Sequence, residues 1–330
     1  MLIFAGVLAF YLAWNLGAND VANSMGTSVG SKAITLGQAL AIAAVMEFSG
    51  ALIFGQGVSQ KLATGILDLN LYAESPDQFV LGMMAVLLSA GIWMNVATVL
   101  GLPVSSSHAT VGAIAGFGAV SVGTSAVRWE SLGVISLTWI VTPLVTATIA
   151  AMLYQLVLAL KLDDEVVYAK LQIISACGVA FAHGSNDVGN AIAPFAAIVS
   201  VLQTRQVPID SVPIPVWVLA FGGMGLVGGL AVWGKKVIET VGKGLIELQP
   251  KGGFCAELST AVAVLTASNF GLPVSTSHAL VGAVVGIGLV KGRESVQWGN
   301  FRAIALTWVA TIPTSIALSA GIYKILDWIL

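Results

Sequence analysis

The fold class predicted here is an all-α, polytopic membrane protein built from two inverted-topology repeats. Three observations predict it. Of the 330 residues, 57% are hydrophobic and only 9% charged, against about 25% charged in ordinary globular chains. Eighteen residues occur twice, GLPVSSSHATVGAIAGFG at 101–118 and GLPVSTSHALVGAVVGIG at 271–288, identical at thirteen positions. Finally, corresponding loops of the two copies carry opposite charge bias.

The helices come first. Stretches 2–19, 34–57, 79–101, 132–160, 214–234, 254–271 and 300–326 are long enough for a helix to cross a hydrocarbon core of about 30 Å. Residues 1–14 lack a basic leader and a small-residue cleavage site, so they read as a first membrane helix and not a removed signal. Thirty-seven glycines suit close helix approach in lipid. Cys177 and Cys255 lie in apolar surroundings without CxxC spacing and read as small packing residues. A net charge of −2 names no partner, and without a basic patch nucleic acid is not expected.

The repeat is the next element. Asn19-Asp20 returns as Asn186-Asp187, Pro103 as Pro273, and Leu137-Thr138-Trp139 as Leu306-Thr307-Trp308. These near-constant offsets divide the chain into a first repeat, 1–165, and a second, 166–330, within one transmembrane domain of the transporter type. Segments 58–78 and 119–131 hold Lys61 and Arg128 against Asp68, Glu74, Asp77 and Glu130. Their counterparts at 235–253 and 289–302 hold Lys235, Lys236, Lys243, Lys251, Lys291, Arg293 and Arg302 against Glu239, Glu247 and Glu294. Basic loops face the cytoplasm, so the halves are inverted. That grouping requires 79–118 and 254–288 to enter the membrane and return. Pro103 and Pro273 break the chain where the tips of such hairpins would fall.

The polar motifs carry the chemistry. Ser105, Ser106, Ser107 and His108 follow the first proline; Ser275, Thr276, Ser277 and His278 follow the second. Ser and Thr are strong N-caps, so each run opens a half-helix whose free N–H groups and dipole favour an anion. Capping alone is the competing reading for one copy. His108 and His278 fall one turn after Ser105 and Ser275 and read as struts supporting the site. No third ligand stands near them at metal spacing, and no residue is placed to orient them as general bases, so neither a zinc site nor an enzyme is expected.

GANDVANS at 17–24 and GSNDVGNA at 184–191 form the second pair. A carboxylate at the bilayer centre costs roughly 2.5–3.5 kcal/mol, which singles out Asp20 and Asp187. With Asn19, Asn23, Asn186 and Asn190 they offer oxygens, joined by freed backbone carbonyls, for a hard cation such as Na⁺. The alternative, Asp20 capping a helix that ends at 18–21, stays open. Glu47 sits alone in an apolar run, with Gly222–Gly229 at the matching place in the other half, and reads as a coupling group or as a neutral lock between helices. Glu257 beside Lys251 reads as interfacial, and His183, opposite Leu16, has the weaker claim to a direct role. No Arg or Lys lies in any motif. An anion beside Asp20, Asp187 and Glu47 sums to roughly −3 to −5, against about +1 from two helix ends, so cations or protons must complete the site.

These motifs resemble those of the inorganic phosphate transporter (PiT) family of cation–phosphate symporters, over both halves. The resemblance implies about ten to twelve membrane helices, including two re-entrant hairpins. It implies phosphate at Ser105, Ser106, Ser107, Ser275, Thr276 and Ser277, Na⁺ at Asp20, Asn23, Asp187 and Asn190, and a transport role for Glu47. Asn19, Asn186, His108 and His278 would stand behind them. The expected activity is Na⁺-coupled phosphate symport by alternating access in the plasma membrane, with H⁺ coupling, sulfate or an anion channel as the alternatives. Partners would be phosphate, Na⁺ and the lipid bilayer, with a homodimer left open; no cofactor beyond the co-transported ion is expected. The short charged connector 161–170 replaces the long cytoplasmic loop of eukaryotic members, so no regulatory domain is expected.

Overall fold

The structure, a computed structural model, describes residues 1–161, 164–241 and 249–329, and the side chains of all of these except 235–241. Lys243 and Glu247 of the loop-charge pattern therefore lie outside the described residues, as do the side chains of Lys235, Lys236 and Glu239. Ten α-helices follow one another: α1 (Leu2–Gly30), α2 (Leu36–Thr64), α3 (Pro76–Leu100), α4 (Ser106–Ser121), α5 (Trp129–Ala159), α6 (Glu165–Thr204), α7 (Val216–Val241), α8 (Pro250–Asn269), α9 (Thr276–Lys291) and α10 (Trp298–Ile329). Among the described residues there is no β-strand, only one bridge between Leu67 and Val127.

Seven helices among the described residues are long and apolar enough to span a membrane: α1, α2, α3, α5, α6, the first nineteen residues of α7, and α10. Helix α6 is an addition to the apolar stretches read from the sequence. His183, Ser185, Asn186, Asp187 and Asn190 interrupt its apolar run and hide a 40-residue helix. It also absorbs most of the charged connector, because Asp164 caps it by accepting from the N–H groups of Val166 and Val167 at 2.9 and 3.1 Å.

The hairpins form as expected. Helix α3 ends at Gly101 and α8 runs out at Gly271, with φ of 68° and 66°. This left-handed backbone is open to glycine at little cost and turns the chain out of the helix. Pro103 and Pro273 follow, and then Ser105 and Ser275 cap α4 and α9 by accepting the His108 and His278 N–H, each at 3.3 Å. Helix α3, though long enough to span, is the entering arm of a hairpin. With each hairpin counted as a return, the crossings are α1, α2 and α5 in the first half and α6, α7 and α10 in the second, and an odd number per half inverts the second.

Pairing between the halves is reciprocal: α2 packs on α6 as α7 packs on α1, and α4 on α10 as α9 on α5. Glycines make the crossings. A Cβ on Gly17 would overlap the Leu226 backbone, and one on Gly184 the Glu47 backbone. The paired glycines Gly112 and Gly116 meet Ile312 and Ile316, while Gly282 and Gly286 meet Pro143 and Ala147. Small residues four apart let these backbones touch where side chains would hold them away.

Candidate functional site

Asp20 and Asp187 lie inside unbroken helices, 1% and 0% exposed. The helix boundary considered at 18–21 is absent, so Asp20 is not an interfacial cap. The same continuity corrects the expectation of freed carbonyls around both aspartates. One carbonyl is freed farther along: Pro194 has no N–H to give Asn190 four residues back, and the Asn190 carbonyl accepts from Thr110 Oγ1 at 3.3 Å instead.

Asparagines orient the aspartates and the hairpins. Asn23 Nδ2 donates to Asp20 Oδ1 at 3.2 Å, and Asn190 Nδ2 faces Asp187 Oδ1 at 3.4 Å. Asn19 Nδ2 donates to Thr98 Oγ1 (3.0 Å) and to the Leu102 carbonyl (3.3 Å). Asn186 repeats this on Ser268 Oγ and the Leu272 carbonyl, both 3.1 Å. Each Asn-Asp pair therefore pins the residue before the proline of its own hairpin.

The two tips meet. Ser107 Oγ donates to the Val274 carbonyl at 2.8 Å, linking the first tip to the second. Asn190 Nδ2 lies 3.3 Å from Ser107 Oγ and 3.5 Å from Ser106 Oγ, and Thr276 lines a narrow enclosed gap with Asn23 and His183. Ser275 Oγ is 3.0 Å from Ser277 Oγ. Ser105 and Ser275 each accept one helix N–H as caps, and all six hydroxyl residues are buried.

His108 and His278 meet edge to face at the centre of the pseudo-symmetric pair, ring centroids 4.7 Å apart, with Trp139 against His108 at 3.9 Å and Trp308 against His278 at 3.7 Å. Each histidine reaches a long helix: His108 Nδ1 lies 3.2 Å from the Trp308 carbonyl and His278 Nδ1 2.8 Å from that of Trp139. A carbonyl only accepts, so both Nδ1 atoms carry the hydrogen, and the two Nε2 atoms are buried without a protein partner. The repeated Leu-Thr-Trp landmark works on the same joint. Trp139 Nε1 donates to the Pro273 carbonyl (3.1 Å) and Thr307 Oγ1 to that of Pro103 (2.9 Å).

His183 is the residue that sequence reasoning undervalued. Fully buried, it places Nδ1 3.0 Å from Glu47 Oε1 and Nε2 2.6 Å from Asp187 Oδ2. Neutral imidazole has one N–H, so both contacts are hydrogen bonds only if the trio holds one proton beyond neutral histidine and two carboxylates. Ser24 Oγ adds a bond to Glu47 Oε1 at 3.1 Å. Ligand atoms of Asp20, His183 and Asp187 all lie within 4.8 Å of one another. The available signal was asymmetry: at the pseudo-equivalent crossing Leu16 stands for His183 and Leu226 for Glu47, both fully buried and apolar.

Glu257 is also corrected. It is not interfacial but 0% exposed, accepting from Thr27 (2.6 Å), Ser28 (2.6 Å), Gln172 (3.1 Å) and Ser175 (2.7 Å). Four donors from α1 and α6 replace the water that its place in the sequence suggested.

The model of the phosphate transporter family matches residues 16–167 and 161–319. The chain belongs to the phosphate transporter family. Its members are transporters, not enzymes. Among relatives, the chain is 36% identical to inorganic phosphate transporter 2-1, chloroplastic, of Arabidopsis thaliana, over 100% of this chain and 74% of that one. A protein of Thermococcus kodakarensis designated a candidate phosphate permease is 35% identical over 98% of this chain and 97% of its own. A solved sodium-dependent phosphate transporter superposes with a TM-score of 0.95 at 35% identity, over 100% of this chain and 99% of that one. Membership fits the multi-pass helical fold and the paired tips that first suggested it.

Proposed function

We propose that this phosphate transporter is a Na⁺-coupled symporter that carries inorganic phosphate inward by alternating access to the buried site between the two hairpin tips. One observation carries the cation half of this reading. Asn19 Oδ1, Asp20 Oδ2, Glu47 Oε2, Asn186 Oδ1 and Asn190 Oδ1 are buried acceptors without donors in the protein. Buried polar atoms are rarely left so, and carboxylate and amide oxygens suit a hard cation. The anion half is supported by the hydroxyls of Ser105, Ser106, Ser107, Ser275, Thr276 and Ser277 at two converging helix N-termini. Na⁺ would lie at Asp20, Asn23, Asp187 and Asn190, and the sodium dependence in the name of the solved relative points the same way.

A second reading, H⁺ coupling, has its own observation in the contacts of His183 with both Glu47 and Asp187, which one additional proton would turn into two hydrogen bonds. The functional repeats are taken as 1–165 and 166–330, and the plasma membrane as the location. Radiolabelled phosphate uptake into liposomes decides between the ions when the Na⁺ and pH gradients are imposed separately. Accumulation under the Na⁺ gradient alone is expected, whereas accumulation only under a pH gradient transfers the coupling to H⁺. Equilibration without accumulation would make the protein a channel. Asp20→Asn and Asp187→Asn should each abolish accumulation while the protein still inserts and folds; full uptake by both would reassign the aspartates to structure.

A further inference from the structure

Lys61 and Arg128 are the two basic residues of segments 58–78 and 119–131. They come from different helices, the end of α2 and the residue before α5, yet both line one open cleft of about 660 Å³. The same cleft is lined by Asn269, Phe270 and Gly271, the turn that leads through Pro273 to Ser275. The turn rests directly on α2: a Cβ on Gly271 would come within 3.0 Å of the Gly57 carbonyl oxygen. Neither cation is neutralised by a tight partner. Arg128 Nη1 donates to the Thr64 carbonyl at 3.4 Å and Nη2 stands 3.9 Å from Asp68, with both side chains about two-fifths exposed. No carboxylate pairs with Lys61 among the described residues.

We propose that this cleft is an anion-docking mouth, in which Lys61 and Arg128 hold phosphate against the second hairpin tip before it passes to the buried hydroxyls. Among the described residues no Lys or Arg lines the buried site, where only helix ends and hydroxyls attract an anion, whereas cations in a cleft concentrate anions at its mouth. Asp210 lies in the same cleft, and Asp68 and Glu130 line a neighbouring one together with Lys61 and Arg128. These acids would gather the accompanying cation at the same mouth. The proposal rests on the transport reading above and names where its substrate first binds.

Phosphate uptake by cells expressing Lys61→Gln, Arg128→Gln and the double variant tests it, at low and high ionic strength. The expected result is a KM for phosphate raised about three- to tenfold at low ionic strength, with maximal rate unchanged and the difference shrinking as salt screens the charges. Arg128→Lys should restore KM. In a second arm, Asn269→Cys is labelled from outside with a membrane-impermeant maleimide, and inorganic phosphate should slow the labelling only while Lys61 and Arg128 are present. An unchanged KM in the double variant, a fall confined to maximal rate, or labelling indifferent to phosphate overturns the mouth. If the unaltered protein accumulates no phosphate at all, the transport reading fails first; if it does and the variants keep its KM, the mouth alone fails.

Discussion

Glu47 and His183 are the residues at which the two halves stop being copies. Where they meet in one crossing, buried Leu226 and Leu16 hold the matching places in the other. A buried ionic contact offers little net stability, but breaking it from one side leaves a stranded partner and costs about 3–5 kcal/mol. Glu47→Leu alone should therefore lower the unfolding temperature in detergent far more than the pair Glu47→Leu with His183→Leu, which copies the apolar crossing. Coupled uptake should be lost in both. Additive destabilisation in this double-mutant cycle would mean that the two side chains do not act together. Asp20 and Asp187 were legible in the sequence because an acid in an apolar helix is costly wherever it sits. His183 and Glu257 were not, since their meaning depends on donors and acceptors from other helices: Glu47 on α2 for the first, Thr27 and Ser28 on α1 for the second.

Among elements, the joint between hairpins and long helices is the clearest device. Pro143 has no N–H to offer the Trp139 carbonyl, and His278 Nδ1 takes that place at 2.8 Å. In the other half Pro313 stands five residues after Trp308 rather than four, so its missing N–H frees Val309 and leaves Trp308 its helical partner. The two histidines look equivalent and are not. His278→Ala should cost about 1–3 kcal/mol more than His108→Ala, the penalty of an unpaired buried carbonyl. Thermal unfolding of the two single variants measures it, and equal losses would refute the difference. The apolar stretches picked out along the chain include the hairpin arms but not α6, although a window of α6 is apolar enough to span, because the polar residues of the candidate site break its apolar run.

For the molecule as a whole, an odd number of crossings per half inverts the second repeat and aims its tip at the first from the other side. Ser107 bonding to the Val274 carbonyl is the local trace of that geometry. If the basic loops are cytoplasmic, Glu74→Cys should react with an impermeant thiol reagent added outside intact cells, while Glu294→Cys should react only after permeabilisation; the reverse pattern would turn the protein over. Duplication, hydropathy and the chemistry of the tips run along the chain in one dimension, so the residues alone carried the membrane class, the repeat and the hydroxyl and aspartate halves of the candidate site. The partnership of Glu47, His183 and Asp187 arises where α2 crosses α6, with Gly50 against the Phe181 backbone and Gly184 against the Glu47 backbone. That crossing is set by close packing between distant segments, and only the folded molecule could decide which buried acid meets which base.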